Sequence, residues 1–470
     1  MEQGLQRRLA DSILSILSLR RRHMERVHLL NLGCPKNQVD GELMLGALGR
    51  AGFEISLDPE QAEVLIINTC AFIEAAKKES LDAILRLARV RERADGRRLV
   101  VAGCLAQRYG EQLRAAMPEI DILVGTGNFL DLPELLLRRA GTPQERPAPY
   151  PGAAHLLASS DAPRLLTGLP WTAYVKVSEG CNHRCAFCII PKIRGRHQSR
   201  PLGDVVAEVR TLVERGVREV NLVAQDLTAY GRDLRPCTSL AALLPALAAV
   251  EDLSWIRLLY CYPNFVSDEL LDAIRELPQV VNYLDMPLQH ADDRVLRTMR
   301  RERSASALRS LLDRVRRKLP TLALRTSFIV GFPGEDDQAF SCLLDFVREQ
   351  QFDRVGVFTY SREEGTAAYD LPDQVPQRVK RERRRALMAA QGEVSLRKNR
   401  ELVGKEIEVL VESESPDRRA RMRGRSWSQA PEIDGTVFLN GAARAGQFAR
   451  ARVERAFTYD LHARVVETVA

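Results

Sequence analysis

Short apolar runs alternate with helical patterns over the first part of the chain. Three of the runs stop at a cysteine, namely Val27–Gly33 before Cys34, Glu63–Thr69 before Cys70 and Arg98–Gly103 before Cys104, with helical patterns at 40–49, 72–93 and 109–117 between and after them. A fourth run, Ile120–Val124, and a helical pattern, Leu130–Arg139, follow. Runs of this kind are typical of buried parallel strands. The alternation predicts a parallel α/β domain with right-handed crossovers.

The position of the three cysteines in this pattern is itself informative. Ligands of parallel α/β sheets gather beyond the carboxyl ends of the strands, so Cys34, Cys70 and Cys104 are expected to converge there. A single cysteine at a strand end is more often a buried apolar side chain, and that alternative stays open for each. Three cysteines in the same phase favour a three-cysteine cluster site.

A second alternating region begins after residue 170. Six apolar strands are predicted, at Ala173–Val177, Glu219–Ala224, Trp255–Tyr260, Val281–Met286, Ala323–Val330 and Val355–Tyr360. Helical patterns separate them, including Gly203–Arg215, Ser239–Ala249, Ser267–Glu276, Ser304–Lys318 and Asp336–Gln350. Six units are two short of a closed eight-stranded barrel, so a partial (β/α)6 barrel is predicted, with its site at the carboxyl-terminal rim.

Polar side chains at this predicted rim are candidates for cofactor contacts. They are Gln225, Gln289, Arg325, Ser327 and Gly331. Any one of them also fits ordinary loop chemistry, and the Gly331-Phe-Pro-Gly-Glu335 stretch is most simply a turn that opens a helix. Their shared placement favours a cofactor site.

The last hundred residues change character. Asp373–Arg400 is basic and helical, either a solvated linker helix or a binding helix. Short alternating strands then predict a small antiparallel β-barrel of about five strands. From Arg400 onward there are 12 Lys and Arg against 11 Asp and Glu. This near balance argues against a surface that follows nucleic-acid phosphates.

Composition sets the broad class. The 470 residues are 45% hydrophobic and 28% charged, as in globular proteins, with a net charge of +7 that permits an RNA or ribonucleoprotein partner without showing one. Nine cysteines, an odd number, do not suggest a secreted disulfide framework. We therefore expect a cytoplasmic protein with metal-binding thiols and no membrane association.

The strongest chemical signal is Cys181-Asn-His-Arg-Cys185-Ala-Phe-Cys188. Thiolates suit iron–sulfur clusters and zinc. Three close cysteines can bind three irons of a four-iron cluster and leave the fourth iron open to a small molecule. Zinc sites usually have four protein ligands, so the alternative is a zinc knuckle completed by His183 or His197. The spacing resembles that of the radical S-adenosylmethionine (SAM) enzymes.

Three features together resemble the methylthiotransferases, a radical SAM family: the three dispersed cysteines, the C-x3-C-x2-C barrel and a TRAM-like terminal barrel. The resemblance covers roughly residues 25 to 466. It is closest to the RimO type, which modifies a ribosomal-protein aspartate. The deciding segments are Leu32-Gly-Cys34-Pro-Lys-Asn37, Cys181–Cys185, Cys188-Ile-Ile-Pro-Lys-Ile-Arg-Gly195, Ser199-Arg-Pro201, and Ala224-Gln-Asp226 with Ala229-Tyr-Gly231. The tRNA-modifying branch typically has Gln-Met-Asn and Gly-Gln-Asn in place of Pro-Lys-Asn and Ala-Gln-Asp.

The resemblance implies a division of the chain into an N-terminal extension, a methylthiotransferase domain, a linker, a radical SAM core and a TRAM-like domain. Their expected bounds are 1–25, 26–140, 141–170, 171–396 and 397–470. The extension is amphipathic and rich in Arg, and it lacks the ordered regions of a signal peptide. The linker is rich in Pro, Ala and Ser.

The resemblance also implies a mechanism. Cys181, Cys185 and Cys188 would bind a 4Fe–4S cluster whose open iron holds SAM, while Cys34, Cys70 and Cys104 would bind a second cluster that carries sulfur. A SAM-derived radical would abstract hydrogen from the β-carbon of an aspartate of small-subunit ribosomal protein twelve, giving 3-methylthioaspartate. Beyond the cluster ligands no catalytic side chain is implied. The partners implied are that protein, free or within the ribosome, a flavodoxin- or ferredoxin-type electron donor, and a sulfur donor.

Two other functions remain open at this point. A tRNA adenosine 2-methylthiotransferase would favour a basic, aromatic-lined terminal barrel, because phosphates need charge and bases stack. A zinc-stabilised RNA-binding protein without enzymatic activity would need a fourth ligand for the cysteine motif.

Overall fold

The computed structural model describes residues 24–137, 157–417 and 419–469. Most of the predicted extension (1–25), residues 141–156 of the predicted linker, and the last two residues of the predicted helix Leu130–Arg139 lie outside the described residues. The described end of the linker region packs against the protein: Ala158 is buried, and Leu166 lies against the core of the central barrel.

The N-terminal part is a parallel five-stranded sheet, as the alternation predicted. Its strands are β1 (Arg26–Asn31), β2 (Glu54–Ile55), β3 (Val64–Thr69), β4 (Arg98–Gly103) and β5 (Ile122–Val124), in the order β2-β1-β3-β4-β5. The helices are α1 (Pro35–Arg50), α2 (Glu74–Arg91), α3 (Cys104–Ala116) and α4 (Leu132–Leu137). Helices α1 and α3 begin earlier than predicted, directly after or at a cysteine, and the two-residue strand β2 was not predicted.

The central part is a parallel six-stranded partial barrel, which confirms the predicted architecture. Its strands β6 (Thr172–Lys176), β9 (Glu219–Val223), β10 (Trp255–Leu258), β11 (Val280–Asp285), β12 (Ala323–Val330) and β13 (Arg354–Thr359) lie in the order β13-β12-β11-β10-β9-β6. A small antiparallel pair, β7 (Ser178–Glu179) and β8 (Gln198–Ser199), stands beside it. The helices are α5 (Ile190–Arg194), α6 (Leu202–Glu214), α7 (Leu240–Ala248), α8 (Asp268–Glu276), α9 (Asp293–Thr298), α10 (Ala305–Lys318) and α11 (Asp337–Gln350).

The C-terminal part is a closed five-stranded barrel preceded by the basic helix α12 (Gln377–Arg400). Its strands are β14 (Glu406–Glu414), β15 (Met422–Ser426), β16 (Val437–Asn440), β17 (Phe448–Ala456) and β18 (Leu461–Val469). All pairings are antiparallel except β16 with β18, which is parallel. One face of α12 is buried, including Leu387 and Val394, so this helix is not a freely solvated linker.

The two faces of the central sheet have different neighbours. Its outer face packs on the surrounding helices in a large apolar core, for example through Val220 and Leu222. Its inner face shares a second core with the N-terminal sheet and the C-terminal barrel, through residues such as Tyr174, Trp255 and Tyr283. The inner face is therefore enclosed by both flanking domains. Within the described residues, every helix is too short or too polar to cross a membrane.

Candidate functional site

The C-x3-C-x2-C segment is a loop between β7 and α5, and backbone hydrogen bonds fix it at three points. Cys181 N donates to Gly195 O (2.9 Å) and Ala186 N to Met299 O (2.9 Å), while Ala186 O accepts from Ala368 N (2.8 Å). The three thiols keep partial solvent exposure. The loop is held in place by three separate parts of the barrel, and its three cysteines are partly buried.

The surroundings of these thiols disfavour free thiolates. Burial, with a smaller contribution from the charge of Cys185, raises the pKa of Cys181 to about 11 and that of Cys188 to about 12. This mutual effect means that the three sulfur atoms lie near one another. A cationic metal group would remove the cost of ionising them together.

The two histidines considered as zinc ligands have other partners. His183 Nε2 hydrogen-bonds Asp226 Oδ2 (2.7 Å), and its ring stacks on Tyr262 with 3.7 Å between centroids. His197 Nε2 hydrogen-bonds Ser199 Oγ (3.0 Å). These contacts orient the loop, and among the described residues neither ring meets the cysteines around a point that could hold one metal ion. The guanidinium of Arg301 approaches the sulfur of Cys185 at 3.8 Å.

The second set of cysteines lies at the carboxyl ends of β1, β3 and β4. A left-handed glycine, Gly33 (φ +97°), allows the first loop to approach the second: a Cβ at this position would lie 2.8 Å from the Cβ of Cys70. Burial, with smaller contributions from the charges of Cys104 and Cys34, raises the pKa of Cys70 to about 12. The sheet therefore places the three thiols close enough to affect one another.

A buried group of charges connects the two sets. Lys176 on β6 donates to Asp40 on α1 (2.5 Å) and to Glu179 on β7 (2.7 Å). Arg194, the last residue of α5, donates to Asp40 (2.6 Å) and Glu179 (3.2 Å). Burial alone would raise the pKa of Glu179, but Lys176 and Arg194 hold it well below its ordinary value. We call Asp40, Lys176, Glu179 and Arg194 the interdomain charge network.

Arg194 also reaches the second set directly. Its Nη2 donates to Asn37 Oδ1 (2.5 Å) and contacts the sulfur of Cys104 at 3.4 Å. Burial raises the pKa of the Cys104 thiol, and the neighbouring guanidinium opposes this. The next residue, Gly195, accepts the hydrogen bond from Cys181. The two cysteine sets therefore lie on either side of the Arg194–Gly195 segment.

Neither set of cysteines is arranged to bind a single metal ion. No three His, Cys, Asp or Glu side chains within 24–137, 157–417 and 419–469 meet around a point that could hold one ion. In an iron–sulfur cluster each thiolate binds a different iron, so its three ligands need not share one point. Two separate groups of three thiols are suited to that arrangement.

Comparison with known proteins agrees with this chemistry. Residues 26–125 match the uncharacterized protein family UPF0004, residues 175–347 the radical SAM superfamily, and residues 403–466 the TRAM domain. A protein of Trichlorobacter lovleyi named ribosomal protein uS12 methylthiotransferase RimO is 48% identical and covers 94% of this chain and 98% of its own length. A protein of the same name from Geobacter sulfurreducens is 46% identical, covering 94% and 99%.

The chain belongs to the RimO family of radical SAM methylthiotransferases. Among solved structures, the radical SAM methyltransferase TsrM of Kitasatospora setae, with cobalamin and a 4Fe–4S cluster bound, aligns with a TM-score of 0.55 at 15% identity over 73% of this chain and 77% of that one. The cobalamin-dependent enzyme OxsB aligns with a TM-score of 0.51 at 12% identity over 74% and 55%. At these identities the likeness concerns the fold.

The residues of this methylthiotransferase fit the groups that the radical SAM superfamily implies, an iron–sulfur cluster and SAM. Cys181, Cys185 and Cys188 offer three soft donors in one partly buried loop. Close to them, Gln225 Nε2 donates to Glu179, while Gln225 Oε1 is buried without a hydrogen-bond partner among the described residues. A buried orphan acceptor is costly, so it marks a place where a ligand donor is missing.

The other predicted SAM contacts have mixed surroundings. Gln289 has a left-handed backbone (φ +76°), and its N–H donates to Ser327 O (2.9 Å) on β12. Gly331 N donates to Glu335 Oε2 (2.8 Å). Arg325 is paired with Asp285 (2.8 Å) and with Asp434 of the C-terminal barrel (3.2 Å), so its guanidinium already has a structural role. Contact of these residues with SAM stays a prediction.

Sequence reasoning missed the interdomain charge network. One signal was present, because Lys176 stands inside the apolar run Ala173–Val177, where an unpaired charge would be costly. Its partners could not be named in advance, since Asp40 lies 136 residues away along the chain.

Proposed function

We propose that this methylthiotransferase acts on an aspartate of ribosomal protein uS12 and converts its β-carbon to the 3-methylthio form. The observation that carries the proposal is the near full-length similarity, at 46–48% identity, to proteins named for that activity. The balanced charge of the terminal barrel supports a protein substrate over tRNA, because an RNA-binding surface needs clustered positive charge.

We assign one cluster to Cys181, Cys185 and Cys188 and a second to Cys34, Cys70 and Cys104. When bound, these groups and SAM supply the radical that removes hydrogen from carbon and the sulfur that is methylated and inserted. The chain holds the two sets on either side of Arg194–Gly195, encloses the inner face of the barrel with both flanking domains, and presents polar side chains there. Gln225, Gln289, Arg325, Ser327 and Gly331 are proposed to contact SAM.

The proposed reaction takes place in the cytoplasm and needs an electron donor of flavodoxin or ferredoxin type and a source of sulfur. The functional units are proposed to be the methylthiotransferase domain (26–140), the radical SAM core (171–396) and the TRAM-like domain (397–470).

The experiment that tests the proposal is mass spectrometry of uS12 from cells with and without the gene. A mass increase of about 46 Da on one aspartate, present only with the gene, is the expected result, since a methylthio group replaces one hydrogen. An unchanged uS12 together with a loss of methylthioadenosine from tRNA would overturn the proposal in favour of an RNA substrate.

A further inference from the structure

A buried cation near the second cysteine set has no carboxylate partner among the described residues. Lys36, the second residue of α1, is only 8% exposed. Among the described residues no carboxylate forms an ion pair with its Nζ, and its side-chain partner is Tyr260. Lys176, which is also buried, is paired with two carboxylates. An unpaired buried ammonium is costly, so the site is suited to an anion that comes from outside the chain.

Tyr260 supports this ammonium from one side. The Nζ of Lys36 lies over the Tyr260 ring, 3.4 Å from its centroid. The backbone of Tyr260 is left-handed (φ +64°), which is a strained conformation for a bulky side chain. The strain is held by Asp285, whose Oδ2 accepts from Tyr260 N (3.0 Å). A cation–π contact positions the ammonium but neutralises none of its charge.

The position of Lys36 suits a substrate group. Lys36 stands two residues after Cys34 and directly before Asn37, whose Oδ1 lies 3.6 Å from the sulfur of Cys104, so it is beside the second cysteine set. Cys34 and Tyr260 are only partly buried, and Gly33 next to them is exposed. Lys36 therefore lies just below the surface, at the point where the N-terminal sheet meets the rim of the barrel.

We propose that the ammonium of Lys36 binds the β-carboxylate of the target aspartate. This inference rests on the proposed function. The reacting β-carbon is bonded directly to that carboxylate, so an ion pair at Lys36 fixes the β-carbon next to Cys34 and the sulfur-delivering set. It also explains how the protein would select aspartate over asparagine, because only the carboxylate supplies the missing charge.

The test measures binding of two fluorescent peptides to the anaerobically reconstituted protein. One peptide carries the uS12 segment around the modified aspartate, and the other carries asparagine at that position. We expect the wild type to prefer the aspartate peptide by about 30-fold or more, the usual effect of a buried charge pair. Lys36→Met should bind both peptides with affinities within about threefold of each other, and Lys36→Arg should keep most of the preference.

Lys78→Met is the matched control, because it removes the same charge from an exposed position on α2. Iron content and SAM affinity of each variant are measured alongside. If Lys36→Met loses iron, Lys36→Gln, which can still donate a hydrogen bond but carries no charge, takes its place in the comparison.

Three results would overturn the inference. A Lys36→Met protein with normal iron that still prefers aspartate would exclude Lys36 as the carboxylate partner. A weakened SAM affinity with the peptide preference intact would assign Lys36 to the SAM carboxylate instead. A wild type that binds neither peptide and leaves uS12 unmodified would refute the proposed function, and the role of Lys36 would fall with it.

Discussion

Neighbouring residues serve both cysteine sets. Gly195 O holds the backbone of Cys181, while the side chain of the preceding Arg194 contacts the sulfur of Cys104. A displacement of α5 would therefore change both sites at once. Hydrogen bonds to the sulfur ligands of a cluster tune its reduction potential. Arg194 approaches the sulfur of Cys104 and Arg301 approaches that of Cys185, so these two side chains are placed to tune a cluster bound at either set.

The two sets should fail in different ways when one ligand is removed. Cys181→Ala is expected to abolish SAM cleavage, because the first set lies in the radical SAM domain. Cys34→Ala is expected to keep SAM cleavage but lose sulfur insertion. The measurements are 5′-deoxyadenosine by chromatography and the uS12 mass. Cys237→Ala, at an exposed position outside both sets, is the control. Full methylthiolation by Cys34→Ala would refute the two-cluster assignment.

At the level of elements, the C-terminal barrel is fixed to the central sheet by buried charges. Arg425 on β15 pairs with Glu219 at the start of β9, and Glu219 also accepts from Arg257 on β10 (2.9 Å). Asp434 accepts from Tyr283 Oη (2.6 Å). Burial alone would raise the pKa of Glu219, but the two guanidinium groups lower it to about 2. The barrel is therefore part of the enclosure around the inner face.

Glu219→Gln should loosen this contact. The neutral side chain leaves Arg257 and Arg425 short of negative charge in a fully buried place, which typically costs about 3–5 kcal/mol. The midpoint of thermal unfolding should fall clearly. Glu406→Gln, which breaks ion pairs with Arg450 and Arg452 at the barrel surface, should change it little. Equal shifts for the two variants would contradict a structural role for the buried group.

Over the whole molecule, local sequence patterns predicted the architecture. They could not predict contacts between residues that are far apart in the chain. The apolar runs that end at Cys34, Cys70 and Cys104 and the C-x3-C-x2-C spacing are short sequence patterns, so each could be recognised from a few neighbouring residues. Strand β15 was missed because its sequence, Met422-Arg-Gly-Arg-Ser426, is polar. It pairs with β14 and β16, and its Arg425 is buried against Glu219, 206 residues earlier in the chain.

The candidate functional site was likewise predictable only where it depends on local sequence. Candidate ligands could be named from spacing and strand phase, whereas the roles of Lys36 and Arg325 depend on what the fold places beside them. Arg325 was predicted to contact SAM from its position in β12, yet its charge is engaged by Asp285 and Asp434. Lys36 belongs to the motif Leu32-Gly-Cys34-Pro-Lys-Asn37, but only the three-dimensional structure shows that no carboxylate among the described residues pairs with it.

The interdomain charge network should couple the two halves of the reaction. Asp40 on α1 accepts from both Lys176 and Arg194 of the central part, so Asp40→Asn weakens the attachment of the N-terminal sheet next to both cysteine sets. We expect SAM cleavage to continue while methylthiolation falls at least about tenfold, which raises the ratio of 5′-deoxyadenosine to modified uS12. Quantifying both products from one reaction gives this ratio.

Glu42→Gln is the matched control for Asp40→Asn. Glu42 lies on the same helix and also crosses to a later part of the chain, where it pairs with Arg164 (2.7 Å), but it has no contact with Arg194 or the cysteines among the described residues. Its loss should lower the unfolding temperature and leave the product ratio near that of the wild type. If Glu42→Gln raised the ratio as much as Asp40→Asn, general loosening of α1 would account for the uncoupling. The specific contact between the network and the cysteine sets would then be excluded as its cause.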